Sequence, residues 1–221
     1  MQINYDLDPK KFKIGVVGGG SWGTALANLL ASKGYAIKLW VFEKEVKDQI
    51  LETGENKIFL PDVKLSAELH PTNDMAEAVL GKNMVVVVVP SHLMREITSK
   101  MAAVVSNEAI IVTASKGIEN KTHLTMTGVL KETLVEIPPQ RLAAISGPSF
   151  AREVARELPT VVTVASEDIE TAAIAQQVFA TPYFRVYTSE DVVGVELGGS
   201  LKNVIAIGAG VVDGLGLGLN A

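Results

Sequence analysis

The run Val16-Val17-Gly18-Gly19-Gly20-Ser21-Trp22-Gly23-Thr24-Ala25-Leu26-Ala27 constrains this chain more than any other stretch. An apolar segment from Phe12 to Val17 leads directly into Gly18-x-Gly20-x-x-Gly23, and a helical pattern through Ala25, Leu26, Leu29 and Leu30 follows. A strand that turns sharply into a helix uses glycine there for three separate reasons. Gly18 permits the tight turn, Gly20 lets the backbone approach a ligand closely, and Gly23 lets the helix pack against the strand. The ligand that suits such a turn is a pyrophosphate, because first-turn amides and the positive end of the helix dipole meet it.

A glycine-rich turn by itself is also only a turn, so the flanks carry the argument. Residues 28–33 continue the helix, Gly34 suits a C-cap, and residues 37–42 read as the next strand. Glu43 closes that strand at about 20 residues past the last glycine, where a carboxylate accepts hydrogen bonds from the adenosine ribose hydroxyls. It also repels a 2′-phosphate, which predicts NAD rather than NADP. The alternative is that Glu43 only opens the solvated run Glu43-Lys44-Glu45, in which Lys44 could accept a 2′-phosphate.

With 221 residues, 48% of them apolar, the chain can build one sizeable core but not two large ones. A net charge of −5 and no basic stripe argue against a nucleic-acid partner. No cysteine is present, which excludes disulfides and thiolate catalysis. The opening residues 1–6 lack a basic, then apolar, leader pattern, so a cytoplasmic location is expected. No apolar run reads as long enough to span a bilayer; residues 84–89, the most apolar, are far too few.

Apolar, β-branched runs at 13–17, 37–42, 84–89, 109–113, 142–146, 160–165 and 184–187 alternate with helical patterns at 21–33, 45–53, 75–80, 93–105, 124–135 and 169–179. The alternation predicts an α/β fold, a Rossmann-type doubly wound and mostly parallel sheet, followed by the start of a helical C-terminal domain. The runs are apolar at consecutive positions, as in strands covered on both faces, and the valines at 85–89 belong at the centre. Residues 1–189 are assigned to the dinucleotide-binding domain and 190–221 to an incomplete helical one. There a helix over 191–207 is expected, with Ser189 as N-cap and an apolar face of Val192, Val195, Leu201, Val204 and Ile205, before a glycine-rich tail. The chain is expected to be cut inside that second domain.

Ligands of open α/β sheets sit beyond the carboxyl ends of the strands. The residues found there are Pro90-Ser91-His92, Ala114-Ser115-Lys116-Gly117 and Gly147-Pro148-Ser149-Phe150-Ala151. Lys116, between Ser115 and Gly117 at a strand end, is placed to hold a phosphate or a carbonyl oxygen. Lys202 lies mid-helix beyond Gly198 and Gly199, two poor helix formers that point to a close approach by cofactor or by another element. A partly buried ammonium there would serve as an acid–base group. His70, His92 and His123 are scattered without metal-ligand spacing, so no metal site is expected. Arg152 and Arg156 read as solvated helix cations.

Taken together, Gly18 to Ala27, Val89-Pro90-Ser91, Ser115-Lys116-Gly117-Ile118-Glu119, Ser146-Gly147-Pro148-Ser149-Phe150-Ala151 and Gly199-Ser200-Leu201-Lys202-Asn203-Val204-Ile205-Ala206-Ile207-Gly208 closely resemble NAD(P)-dependent glycerol-3-phosphate dehydrogenase. The resemblance implies reversible hydride transfer between NAD(H) and the pair dihydroxyacetone phosphate and sn-glycerol 3-phosphate, a supply of glycerol 3-phosphate for phospholipid synthesis, and a homodimeric full-length form. It implies Lys202 as the acid–base lysine, with Lys116 beside substrate and nicotinamide. Gly147, Ser149 and Asn203 would help hold the substrate, and Ser21, Trp22, Phe42, Pro90 and Ala151 would line the dinucleotide. Family chains continue into a helical lobe with further substrate-binding residues, so this chain is expected to bind cofactor with little turnover. The competing expectations are a different two-domain NAD-dependent dehydrogenase, acting on a hydroxy acid or an acyl-CoA, and a non-catalytic dinucleotide-binding module.

Overall fold

The computed structural model describes residues 6–218; the expectations that concern residues 1–5 and the closing Asn220-Ala221 fall outside the described residues. In chain order the elements are β1 (Ile14–Val17), α1 (Ser21–Ser32), β2 (Ile37–Trp40), α2 (Lys44–Thr53), β3 (Leu69–Thr72), α3 (Met75–Val79), β4 (Met84–Val87), α4 (Met94–Met101), β5 (Ile110–Thr113), α5 (Met126–Thr133), β6 (Leu142–Ser146), α6 (Ala151–Ala155), β7 (Thr160–Ser166), α7 (Ile169–Phe179), β8 (Phe184–Ser189) and α8 (Val192–Gly214). All eight strands join one sheet in the order β3-β2-β1-β4-β5-β6-β7-β8. Neighbours are parallel except β6 and β7, which pair antiparallel through Ala143–Ser166 and Ser146–Thr163. The winding reverses between β1 and β4, and ligands of doubly wound sheets enter at that reversal.

Consecutive apolar residues in the strands are explained by two cores. Val16, Leu39, Val86 and Val112 face one side, under Leu26 and Leu30 of α1 and Phe179 of α7. Val17, Val85, Val87 and Ile111 face the other, under Met94 and Met101 of α4 and Leu130 of α5. The valine run lies centrally, since β4 is flanked by β1 and β5. Lys33 follows α1 and donates to the carbonyls of Gln177, Val178 and Ala180 at 2.8, 2.6 and 2.7 Å, tying α1 to the end of α7. Its neighbour Gly34 has φ +93°, the left-handed conformation that ends a helix.

The structure departs from the sequence expectations in several places. Strand β3 was not anticipated: its Leu69-His70-Pro71-Thr72 buries only its ends, and Pro71 is tolerated because β3 is the sheet edge. Residues 91–93 wind as a 3-10 turn after Pro90, so α4 proper starts at Met94, and Thr125 caps α5 at a Thr125 Oγ1 to Gly128 N distance of 3.4 Å. The N-cap of α8 is Asp191, not Ser189; its carboxylate accepts from Gly194 N at 2.8 Å, while the Ser189 hydroxyl accepts from Asp191 N.

Helix α8 is also longer than expected and differently faced. It continues through Gly208 and Gly210 to Gly214, so those glycines are helix and not tail. Leu201, Val204 and Ile205 are 47%, 64% and 71% exposed, because α8 packs mainly on β6 and β7. At 23 residues it has the length and composition to cross a bilayer, which corrects the reading of the apolar runs; that reading ended the helix too early. Its one buried residue, Glu196, is bonded to α5.

Candidate active site

The glycine turn sits at the carboxyl end of β1, on the same sheet edge as the ends of β4, β5 and β6. A Cβ at Gly18, where φ is +122°, would stand 2.2 Å from the Val88 carbonyl oxygen, and one at Gly23 would stand 1.9 Å from the Gly18 carbonyl oxygen. Both positions are closed to side chains. At Gly20 a Cβ would meet nothing within 4 Å, so the missing side chain leaves open space. Gly20 is also the N-cap of α1, with no side-chain cap and no acid in the first turn. Uncapped amides beside an empty volume fit the diphosphate of a dinucleotide. Ser21 and Trp22 form the first turn and are partly exposed to that space.

The end of β2 forms the next part of the rim. Trp40 donates through Nε1 to the Asn73 carbonyl at 3.1 Å, and Asn73 Nδ2 donates back to the Val41 carbonyl at 2.7 Å. Phe42 is 75% exposed and lies edge-on to Trp40 with ring centroids 6.2 Å apart. Glu43 is exposed and is the N-cap residue of α2, but its carboxylate makes no cap bond; Lys44 beside it is exposed as well. Pro90, at the end of β4, is exposed and held by Ser115, whose hydroxyl donates to the Val89 carbonyl at 2.6 Å and accepts from Val89 N at 3.0 Å.

Beyond β5 and β6 the structure brings together most residues singled out for chemistry. Lys116 Nζ donates to the Gly147 carbonyl at 2.9 Å and lies 3.4 Å from Ser149 Oγ. Gly117 N donates to Ser200 Oγ at 3.1 Å, which joins the Lys116 loop to α8. Gly199 supplies the closest approach, since a Cβ there would be 2.1 Å from Ser146 Oγ. A cleft of about 300 Å³ opens here between Ser146, Gly147, Pro148, Thr163 and the α8 residues Val195, Gly198, Gly199 and Lys202. Burial pulls the Lys116 ammonium below the usual lysine range, and the charge of Lys202 pulls it further. Lys202 is partly buried, and donates to Asn203 Oδ1 at 2.7 Å. Ser146 Oγ is buried with no partner among the described residues, at the wall of the same cleft.

Two anchoring residues were not found from the sequence. Glu196, 6% exposed, accepts from Thr127 N at 2.9 Å and from the Thr127 hydroxyl, in the first turn of α5. That fixes the root of α8 two turns before Lys202. Asn56, fully buried, bonds to the back of the glycine turn. Each is a single polar residue without a motif, so no pattern in the chain marks it. His92, Arg152 and Arg156 are exposed, and Ala151 starts α6 against the core. Among the described residues no group of three metal-ligating side chains forms.

Comparison with known proteins gives a consistent picture. Residues 13–172 match the family described as NAD-dependent glycerol-3-phosphate dehydrogenase N-terminus, and residues 191–221 match the corresponding C-terminus. The chain is 50% identical over 208 residues to an NAD(P)+ glycerol-3-phosphate dehydrogenase of Syntrophotalea carbinolica, covering 94% of this chain and 62% of that one. It is 52% identical over 208 residues to the one of Geobacter metallireducens, with the same coverage. A crystal structure of glycerol-3-phosphate dehydrogenase from Coxiella burnetii superposes with a TM-score of 0.85 at 37% identity, over 95% of this chain and 63% of that one. The chain thus spans about 62% of the length of the curated relatives it matches.

Proposed function

From the premise that the chain belongs to the NAD-dependent glycerol-3-phosphate dehydrogenase family, which the matches over 13–172 and 191–221 show, we propose that it interconverts dihydroxyacetone phosphate and sn-glycerol 3-phosphate with NAD(H). On this reading it supplies glycerol 3-phosphate for phospholipid synthesis, in the cytoplasm, with a homodimeric full-length form. The observation that carries the proposal is that Lys116 bonds to the Gly147 carbonyl while Lys202 lines the same cleft as Gly147, at the sheet edge that also holds the glycine cradle.

Held at the turn of Gly18, Gly20 and Gly23, NADH would supply the hydride that C2 of the ketone receives. Lys202 gives a proton to the carbonyl oxygen, and in the reverse direction takes it from the hydroxyl. Negative charge grows on that oxygen during the step, and an ammonium in a partly closed cleft stabilises it more than water does. Lys116, held by the Gly147 carbonyl, keeps a second positive charge beside the substrate. Gly147, Ser149 and Asn203 orient the substrate, and Ser21, Trp22, Phe42, Pro90, Lys116 and Ala151 line the dinucleotide. Gly18, Gly20 and Gly23 shape the diphosphate cradle. Glu43, exposed and not used as a helix cap, accepts from the ribose hydroxyls and selects NAD over NADP.

Residues 1–189 form the cofactor-binding domain on this reading, and 190–221 the beginning of the helical substrate domain. Among the described residues, Lys202 is steadied only by its neighbour Asn203, on a helix with an exposed apolar surface, so this chain binds cofactor with little turnover. The test is calorimetric titration with NADH and NADPH, followed by NADH oxidation with dihydroxyacetone phosphate. Tight NADH binding with slow oxidation is expected. A preference for NADPH removes Glu43 from its role, turnover as fast as in longer relatives removes the low-activity reading, and no binding of either cofactor removes the whole proposal.

A further inference from the structure

We infer that Asn56 is a positioning residue for dinucleotide binding, acting from outside the glycine motif by fixing the Gly19–Gly20 peptide so that its amide faces the diphosphate. The inference rests on the reading of the glycine turn as a dinucleotide cradle and adds the device that holds it in shape.

Asn56 follows α2 and its left-handed cap Gly54, and it is 0% exposed. A primary amide is costly to bury without partners, so each of its polar atoms should be accounted for. Nδ2 donates to the Gly19 carbonyl at 2.9 Å and to Thr24 Oγ1 at 2.9 Å. Oδ1 accepts from Phe59 N at 3.1 Å, and the Asn56 carbonyl accepts from Leu60 N at 2.8 Å. The 56–60 turn therefore fixes the Asn56 side chain in place before it reaches the cradle. Thr24, one turn into α1, adds a hydrogen bond from its hydroxyl to the same Gly19 carbonyl at 3.1 Å.

Two bonds from the interior thus hold one carbonyl oxygen. A peptide unit is planar and trans, so its N–H points opposite to its C=O. With the Gly19 oxygen drawn inward, the Gly20 amide is directed outward, to the side where a Gly20 side chain would meet only open space. The peptide lies between two glycines, which have more rotational freedom than any other residues. The glycine motif creates the room for a diphosphate, and Asn56 with Thr24 supplies the restraint that the motif lacks.

The test compares the wild-type chain with Asn56→Ala, Asn56→Asp and Thr24→Val, titrating NADH and ADP by calorimetry and the weaker adenosine by protein NMR shifts. Asn56→Ala and Thr24→Val should bind NADH and ADP about tenfold more weakly, the scale of one lost buried hydrogen bond. Adenosine, which has no diphosphate, should bind as before. Asn56→Asp keeps the shape but turns an acceptor toward the Gly19 oxygen, and should be at least as weak. A purely structural role lowers the melting temperature and leaves the ratio of ADP to adenosine affinity unchanged; that result overturns the inference. Should both Asn56 variants fail to fold, Thr24→Val decides, and unchanged ADP binding in it also overturns the inference. A wild-type chain that binds neither NADH nor ADP defeats the cradle reading itself, and this inference with it.

Discussion

The two ends of the site are built to different standards. At the cradle, Gly18 and Gly23 are closed by backbone at 2.2 and 1.9 Å, and the carbonyl between them is held by two buried side chains. At the other end, Lys202 stands on a helix with a single buried residue, and among the described residues its amine is paired only with its neighbour Asn203. The glycine turn is thus built into the core of the sheet, whereas the position of the Lys202 amine depends on how α8 is seated. Rigid construction suits a ligand that is held in the same way each time, and the α8 end is where geometry is left to a few contacts through Glu196, Gly199 and Ser200.

The sharpest way to break this comparison is Lys202→Ala. Loss of the acid–base group should lower oxidation of NADH by dihydroxyacetone phosphate by about a hundredfold or more, with NADH affinity essentially unchanged by calorimetry. Weakened NADH binding would show that the two ends are one unit. Next in size is Gly20→Ala. Gly20 has φ −69° and free space around its would-be Cβ, so the melting temperature should hold while NADH affinity drops by about tenfold. Gly23→Ala is the counterpart, because its Cβ collides with main chain: melting should reveal a loss of about 1–3 kcal/mol.

Glu196→Gln sharpens the comparison at the other end. It retains the shape but removes the charge from the first turn of α5, so about 1 kcal/mol of stability should disappear and turnover fall, with NADH binding spared. The smallest effect concerns the loop that carries Lys116. Arg95 bonds to both Glu119 oxygens, and this pairing, helped by Thr122, brings the Glu119 carboxyl down to about 2. A depressed folded value means the contribution is full above the ordinary value of 4.5 and is lost as pH falls toward 2. The melting temperatures of wild type and Arg95→Met should therefore differ at neutral pH and converge between pH 4.5 and 2.

The cradle was legible in the sequence because its requirements are local. Three glycines, an apolar strand and a helical pattern are each forced by the backbone, and Lys116 stands at a strand end that the alternation of elements exposes. Strand β3 was hidden because an edge strand needs few apolar residues and tolerates Pro71. The length of α8 was hidden because glycine is a poor guide there: Gly199 exists for contact with Ser146, while Gly208 and Gly210 have no side-chain clash to explain them. Asn56 and Glu196 could not be read at all. Each acts across a distance in sequence, 37 and 69 residues, on a partner that only the fold supplies.

Trp22 in the first turn of α1 and Trp40 at the end of β2 are the only two indoles in the chain, and both lie at the end of the sheet that carries the glycine turn. Indole emission overlaps the absorption of a dihydronicotinamide, so light absorbed by either ring can pass to a reduced cofactor lying nearby. On the proposed reading, the molecule would carry a built-in optical gauge of its own occupancy. Ultraviolet excitation alone should report the reduced form of the cofactor and stay silent toward the oxidised one, with no label attached.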